Sequence, residues 1–213
     1  MNATSRMVAL LARMRRERNG AVADAMCRYG RPCALNYGVS LPTIRQIARA
    51  ETPDHAYARL LWQQDVRELR LAALHLADPA RLADEAGFWA AGIVDAELAE
   101  EAAFALLSRA ERLEGLFAAW CADADPLLRY AALLAAARSV LSTTVWIAPA
   151  CGALSTPAEP AAVRLVAQGA VAMFAALGTR SPEARLAVLR AAEALPAGPA
   201  ADYVREELAW RLE

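Results

Sequence analysis

Apolar residues recur at three- and four-residue spacing through nearly every segment of the chain, and alternating runs of Val, Ile and Thr are absent from the sequence. The first spacing places apolar side chains on one face of a helix, whereas a half-buried strand needs alternation. Alanine, leucine, arginine and glutamate dominate the composition, and all four favour helices. The sequence therefore predicts an all-α fold.

Capping residues and prolines divide this pattern into short helices. Asn19-Gly20 is a typical C-terminal stop, and Leu41-Pro42 opens a helix with proline in its first turn. Asp78-Pro79 and Asp125-Pro126 open further helices in the same way. With a loop at 33–40, the predicted helices span 5–18, 21–29, 41–50, 52–64, 78–91, 95–108, 110–122, 126–140, 143–153, 158–177, 182–195 and 200–212, with 66–77 following directly on 52–64.

Connections of roughly two to six residues between such helices indicate antiparallel pairs. The pairs repeat at intervals of roughly 30 to 40 residues, which is typical of an α-solenoid. The segments 68–78, 127–137 and 163–174 each place an arginine just before small apolar residues. We therefore predict one domain, 1–213, built as an α-solenoid of helix pairs; a compact irregular bundle is the alternative.

Charge and composition limit the chemistry. All 23 basic residues are arginine, which excludes mechanisms that need a lysine amine. The net charge of -1 means that any nucleic-acid surface must be local. Arg164 and Gln168 interrupt the most apolar stretch, 161–177, so no membrane span is expected. The N-terminal arginines follow an apolar run instead of preceding it, unlike a secretory signal, and we expect a cytoplasmic protein.

Cysteines and tryptophans are assigned to packing. The cysteines lack the spacing of a zinc site, so we predict buried free thiols and no metal; they are Cys27, Cys33, Cys121 and Cys151. The tryptophans fall within amphipathic apolar patterns and are expected mostly in the core; they are Trp62, Trp89, Trp120, Trp146 and Trp210. His55 and His75 lack a nucleophile partner, and we assign them no catalytic role.

Three segments resemble a known family in order and spacing. They are Asn-Tyr-Gly-Val-Ser-Leu-Pro-Thr-Ile-Arg at 36–45, Leu-Trp at 61–62 followed by Val-Arg-Glu-Leu-Arg-Leu-Ala-Ala at 66–73, and Pro-Leu-Leu-Arg-Tyr-Ala-Ala at 126–132. They are similar to segments of the HEAT-like-repeat DNA alkylation repair proteins, which include the AlkD-type DNA glycosylases. The resemblance covers about 37–136, roughly half of the chain.

The resemblance implies a right-handed helical solenoid whose concave face holds duplex DNA by its backbone. Active relatives hydrolyse the N-glycosidic bond of cationic alkylated purines, a reaction that needs no cofactor. A carboxylate and electron-rich aromatic faces stabilise the developing oxocarbenium ion by charge and cation–π attraction.

The same resemblance assigns roles to particular residues. Glu101 takes the place of the family's aspartate, and Glu97 replaces its tryptophan. Tyr130 stands where the family has an arginine, with Arg129 one position earlier. We predict Glu101 as the catalytic carboxylate of an active enzyme, and DNA contacts at Tyr37, Arg45, Arg129 and Arg164.

Two alternatives stay open at this point. Glu97, Glu100 and Glu101 also fit a solvated acidic helix start, where carboxylates interact favourably with the helix dipole. The near-neutral charge and the altered tryptophan and arginine positions favour a non-catalytic scaffold that binds a protein partner.

Overall fold

The structure is a computed structural model that describes residues 2–29 and 35–213. Across these ranges the backbone is helical apart from turns and loops, and a single parallel bridge pairs Leu35 with Val66. The all-α prediction is confirmed. The helices are α1 (Ala3–Arg16), α2 (Gly20–Arg28), α3 (Leu41–Arg49), α4 (His55–Trp62), α5 (Arg67–Leu76), α6 (Ala86–Ala90), α7 (Ala96–Ala105), α8 (Leu113–Cys121), α9 (Pro126–Arg138), α10 (Ile147–Ser155), α11 (Pro160–Gly178), α12 (Pro182–Glu193) and α13 (Pro199–Arg211).

Polar side chains cap seven of the thirteen α-helices in the described ranges, and Asn19, which the sequence predicts as part of a helix stop, caps the start of α2 instead. Each accepts a hydrogen bond from a backbone N–H of the first turn, which satisfies a donor that the helix leaves unpaired. These caps are Asn2, Asn19, Ser40, Asp54, Asp95, Asp125 and Ser181. Proline in the first turn marks the start of α3, α9, α11, α12 and α13.

The predicted helix 78–91 is wrong. Two 3-10 turns, Pro79–Arg81 and Ala83–Glu85, precede the short helix α6 in this stretch. The bends bring Glu85 to α4, where its carboxylate accepts from His55 Nε2 at 2.9 Å and from Arg59 Nη1 at 2.8 Å. Trp89 then packs on Trp62, with ring centroids 5.3 Å apart. Tertiary contacts therefore override the local helical pattern.

The first compact unit comprises Met1–Leu106. Its centre is α5, which packs against α3, α4 and α7. Ile44, Leu61, Leu71 and Leu98 are fully buried there. Gly92 permits the close approach of Trp62, because a Cβ atom at this position would lie 2.4 Å from the indole ring.

The second unit comprises Leu107–Glu213 and is organised around α11, which packs on α9, α12 and α13. Gly169 brings α11 close to α9, since a Cβ there would lie 3.0 Å from the Tyr130 ring. By length and composition α11 could cross a membrane, and half of it is buried by its neighbours. The prediction of one domain stays a prediction.

Arginines close several helix ends in the second unit. Arg205 donates to the carbonyls of Ala192 and Leu195 at the end of α12, and Arg180 donates to Ser139 O after α9. Carbonyls at a helix end lack the amide of a continuing helix, so a guanidinium with five donors suits them; Ala192 O also accepts from the backbone N–H of Leu195 at 3.3 Å.

The cysteines and tryptophans depart from the predicted burial in part. Cys121 is buried, which raises the pKa of its thiol to about 12. Cys27 is exposed, so the burial predicted for it is wrong, and Cys33 lies outside the described residues. Trp210 is 82% exposed at the end of α13, whereas the other tryptophans are core residues as predicted.

Candidate nucleic-acid interface

Glu101 lies on α7 in the interior of the first unit, with 1% of its side chain exposed. Its Oε1 accepts hydrogen bonds from His75 Nε2 at 2.6 Å and from Arg45 Nε at 2.9 Å. Its Oε2 accepts from Arg45 Nη2 at 2.5 Å. Both carboxylate oxygens are therefore occupied by side chains of the protein.

This environment keeps Glu101 ionised. Burial alone would raise the pKa of its carboxyl group, because desolvation penalises the charged form. Hydrogen bonds from His75 and Arg45, together with their positive charge, outweigh burial and lower the pKa from 4.5 to about 2. The same hydrogen bond raises the pKa of Arg45. At neutral pH the carboxylate is charged and locally compensated.

Arg45 reaches Glu101 from α3 and covers it. Its guanidinium carbon lies 4.6 Å from the centroid of the Phe104 ring, and 30% of its side chain is exposed. Nε and Nη2 are committed to Glu101, so a DNA phosphate at this position would have to use Nη1. The DNA contact at Arg45 stays a prediction.

Glu97 lies one turn before Glu101 and belongs to a second buried ion-pair network. Its carboxylate accepts from Arg67 Nε at 2.7 Å and from Arg67 Nη2 at 2.6 Å. Arg67 also contacts Glu68, which is fully buried at the start of α5. The interpretation of Glu97 and Glu101 as a solvated helix start is therefore wrong; among Glu97, Glu100 and Glu101, Glu100 alone is exposed.

Tyr37 lies in the short loop 35–40 that leads into α3, and its side chain is half-buried. The backbone N–H of Asn19 donates to Tyr37 O at 2.9 Å, which joins this loop to the corner between α1 and α2. The Arg15 guanidinium lies 5.8 Å from the centroid of the Tyr37 ring. Tyr37 and the C-terminal end of α1 therefore share one surface.

That surface is basic. Arg15, Arg16 and Arg18 are exposed, and no carboxylate among the described residues lies within ion-pair distance of any of them. Arg13 differs, because it pairs with Glu51. We name Arg15, Arg16, Arg18 and Tyr37 the α1 basic surface.

The other two predicted contacts lie in the second unit. Arg164 is exposed on α11. Arg129 is 1% exposed, and its Nη1 donates to Ala153 O at 3.1 Å and to Thr156 O at 2.9 Å. Burial lowers its pKa. This position argues against a direct phosphate contact by Arg129, and both contacts stay predictions.

The family follows from comparison with known sequences. The sequence model described as DNA alkylation repair enzyme matches residues 10–144, which is more than half of the chain. The chain belongs to the DNA alkylation repair enzyme family. The match spans α2 to α9, and therefore includes Tyr37, Glu101 and their partners. None of the curated proteins matches this family member.

A solved structure shares the fold of this DNA alkylation repair family member. It belongs to a protein described as one of a new family related to the HEAT-like repeat DNA glycosylases, with affinity for branched DNA structures. The TM-score is 0.71 at 14% sequence identity, and the match covers 100% of this chain and 96% of the other. The predicted HEAT-like helical-repeat fold is confirmed.

Sequence reasoning missed two residues of this DNA alkylation repair fold. His75 was assigned no special role, yet it donates to Glu101 across the contact between α5 and α7. Glu68 was seen only as part of a matching segment. Its one available signal was a charged pair, Arg67-Glu68, at the start of a helix otherwise rich in buried apolar residues.

Proposed function

We propose that this protein binds DNA through the backbone phosphates and does not excise bases. The observation that carries the proposal is the α1 basic surface, where Arg15 lies beside the Tyr37 ring and Arg15, Arg16 and Arg18 are exposed without acidic partners among the described residues. Unpaired arginines neutralise DNA phosphates and so release the counterions condensed on the DNA. A local cluster of them is therefore sufficient for DNA binding by a protein of net charge -1. Membership of the DNA alkylation repair family and the DNA affinity of the structural neighbour support the same function.

The surroundings of Glu101 argue against base excision. A catalytic carboxylate must face the sugar on which positive charge develops. Here Arg45 and His75 occupy both oxygens of Glu101, and the positive charge of Arg45 opposes a second cation at the same place. Glu97 stands where the family has a tryptophan, so it provides no aromatic ring for a cation, and its carboxylate is paired with Arg67. The catalytic role of Glu101 stays a prediction.

The binding test compares two triple variants that remove the same charge. Arg15→Ala/Arg16→Ala/Arg18→Ala is expected to weaken DNA binding by at least about tenfold and to lower the salt slope by up to about three, since each lost phosphate contact removes about one counterion. Arg185→Ala/Arg190→Ala/Arg211→Ala, on α12 and α13, is the control. Affinity is measured across salt for a linear duplex and a four-way junction with the same arm sequences.

Equal losses in the two triple variants would show that only net charge matters and would remove the α1 basic surface from the interface. The absence of salt-sensitive binding by the wild type would instead support the scaffold alternative. The comparison of duplex with junction decides whether the predicted duplex partner is preferred.

Base excision is tested separately on methylated duplex DNA. We expect the wild type and Glu101→Gln to release alkylated purines at the spontaneous rate, because the Glu101 carboxylate is closed off by Arg45 and His75. Release by the wild type that Glu101→Gln abolishes would contradict this proposal and establish the catalytic role of Glu101.

A further inference from the structure

Glu68 makes an unusual set of contacts for a carboxylate with no exposed surface. Its Oε1 accepts from the backbone N–H of Tyr37 at 3.1 Å and from that of Val39 at 3.3 Å. The same oxygen accepts from Arg67 Nη1 at 3.1 Å. A single buried oxygen therefore accepts hydrogen bonds from two backbone amides of the loop 35–40 and from one guanidinium.

Arg67 completes the attachment of this loop. Only 3% of its side chain is exposed, and Nη1 also donates to Val39 O at 2.9 Å. Nε and Nη2 are held by Glu97 on α7. The guanidinium is thus fixed on one edge by α7 and holds the loop with the other.

The opposite side of the loop holds the corner between α1 and α2. Tyr37 O accepts from the N–H of Asn19, and Gly38 packs directly on the backbone of Asn19 and Ala23. Arg15, Arg16 and Arg18 lie immediately before this corner. A chain of contacts therefore runs from α5 through the loop to the α1 basic surface.

A contribution to stability alone does not explain the buried ion pair of Glu68 and Arg67. Buried ion pairs lose most of their Coulomb attraction to desolvation, and apolar replacements of similar volume are often as stable. An apolar side chain at position 68 could not accept the amides of Tyr37 and Val39, however. The charged pair is suited to fixing the conformation of the loop.

We infer that Glu68 and Arg67 are positioning residues for DNA binding: buried themselves, they hold the loop that presents Tyr37 and aligns the α1 basic surface. This inference rests on the proposed function. Neither side chain is accessible to DNA, so both act through the loop.

The experiment combines amide hydrogen exchange with DNA affinity on the full chain. In Glu68→Ala we expect the amides of Tyr37 and Val39 to exchange at least about tenfold faster, since they lose their acceptor. Glu68→Gln keeps an acceptor oxygen and should restore much of this protection. Glu85→Ala is the control, because Glu85 is another largely buried carboxylate, paired with His55 and Arg59, and its loss should leave the two amides protected.

DNA affinity then separates positioning from general stability. Glu68→Ala should weaken binding at least about tenfold, and its effect should largely disappear in a background that carries Arg15→Ala, Arg16→Ala, Arg18→Ala and Tyr37→Ala, because residues that act as a unit are not additive. Glu85→Ala should leave binding unchanged at temperatures where the variant is folded. If Glu68→Ala fails to fold, Glu68→Gln, with a smaller loss expected, is measured in its place.

The outcomes separate the two claims. Unchanged exchange at Tyr37 and Val39 in Glu68→Ala would overturn the inference whether or not DNA is bound. Faster exchange with unaltered affinity, or losses that simply add when Glu68→Ala is combined with the four alanine substitutions, would overturn the link to binding. Absence of DNA binding by the wild type would overturn the proposed function first, and the DNA role of the loop with it.

Discussion

Gly38→Ala is expected to lower the free energy of unfolding by about 3 kcal/mol or more, since it combines backbone strain with a steric clash. Gly38 has φ of +67°, a left-handed conformation that an L side chain adopts only at a cost. An added Cβ would lie 2.2 Å from Asn19 O and 2.7 Å from Ala23 N. Both are backbone atoms of the α1–α2 corner, so relief requires that corner to move.

Urea or guanidinium unfolding of the wild type and variant measures this effect. Gly115→Ala is the matched control, because the added Cβ would meet open space beyond the backbone of its own helix, α8. Alanine there should stabilise the protein by about 0.5 to 1 kcal/mol. A loss at position 38 of less than about 1 kcal/mol would show that the corner relaxes readily.

Glu101→Gln is expected to remove up to about 3 kcal/mol of stability at neutral pH, the free-energy equivalent of a pKa that falls from 4.5 to about 2. Because the folded state holds the pKa below its ordinary value, this stabilisation is complete above pH 4.5. It is lost as the pH falls from 4.5 to about 2, where the folded protein also takes up the proton.

The difference in unfolding free energy between wild type and Glu101→Gln, measured from pH 7 down to 2, reports on this carboxyl and on its pairing with Arg45 and His75. The pKa values of Asp54 and Glu85 are also lowered in the folded state, but both groups are present in the two proteins and cancel. Glu114→Gln, which removes an exposed carboxyl group on α8, is measured in parallel as the control for the loss of one carboxylate. A wild-type-minus-variant difference that stays constant with pH would contradict the low pKa of Glu101.

Local signals predict most of the fold from sequence. Ser40 and Pro42 define the start of α3, and Asp125 and Pro126 that of α9, because capping and proline geometry depend on neighbouring residues only. The helical pattern fails at 78–91, because Glu85 and Trp89 contact Arg59 and Trp62 on α4, which are far away in sequence.

The candidate site was less predictable for the same reason. The sequence identifies Glu101 and Arg45 as separate candidates, but their ion pair joins residues 56 positions apart. His75 reaches Glu101 across 26 positions. Arginine is a common phosphate ligand, yet the position of Arg129 on α9 places its side chain in the interior of the second unit. Helical periodicity gives the face of a residue within its helix, and the packing partner of that face is set by the tertiary fold.

The unequal exposure of the tryptophans has an optical consequence. Trp62, Trp89, Trp120 and Trp146 are at most 5% exposed, whereas Trp210 is 82% exposed near the end of the chain. An aqueous collisional quencher such as iodide reaches only indole rings in contact with solvent. In the folded protein it should therefore extinguish the red-shifted emission of Trp210 alone, leaving the blue-shifted fluorescence of the four buried rings as a separate signal.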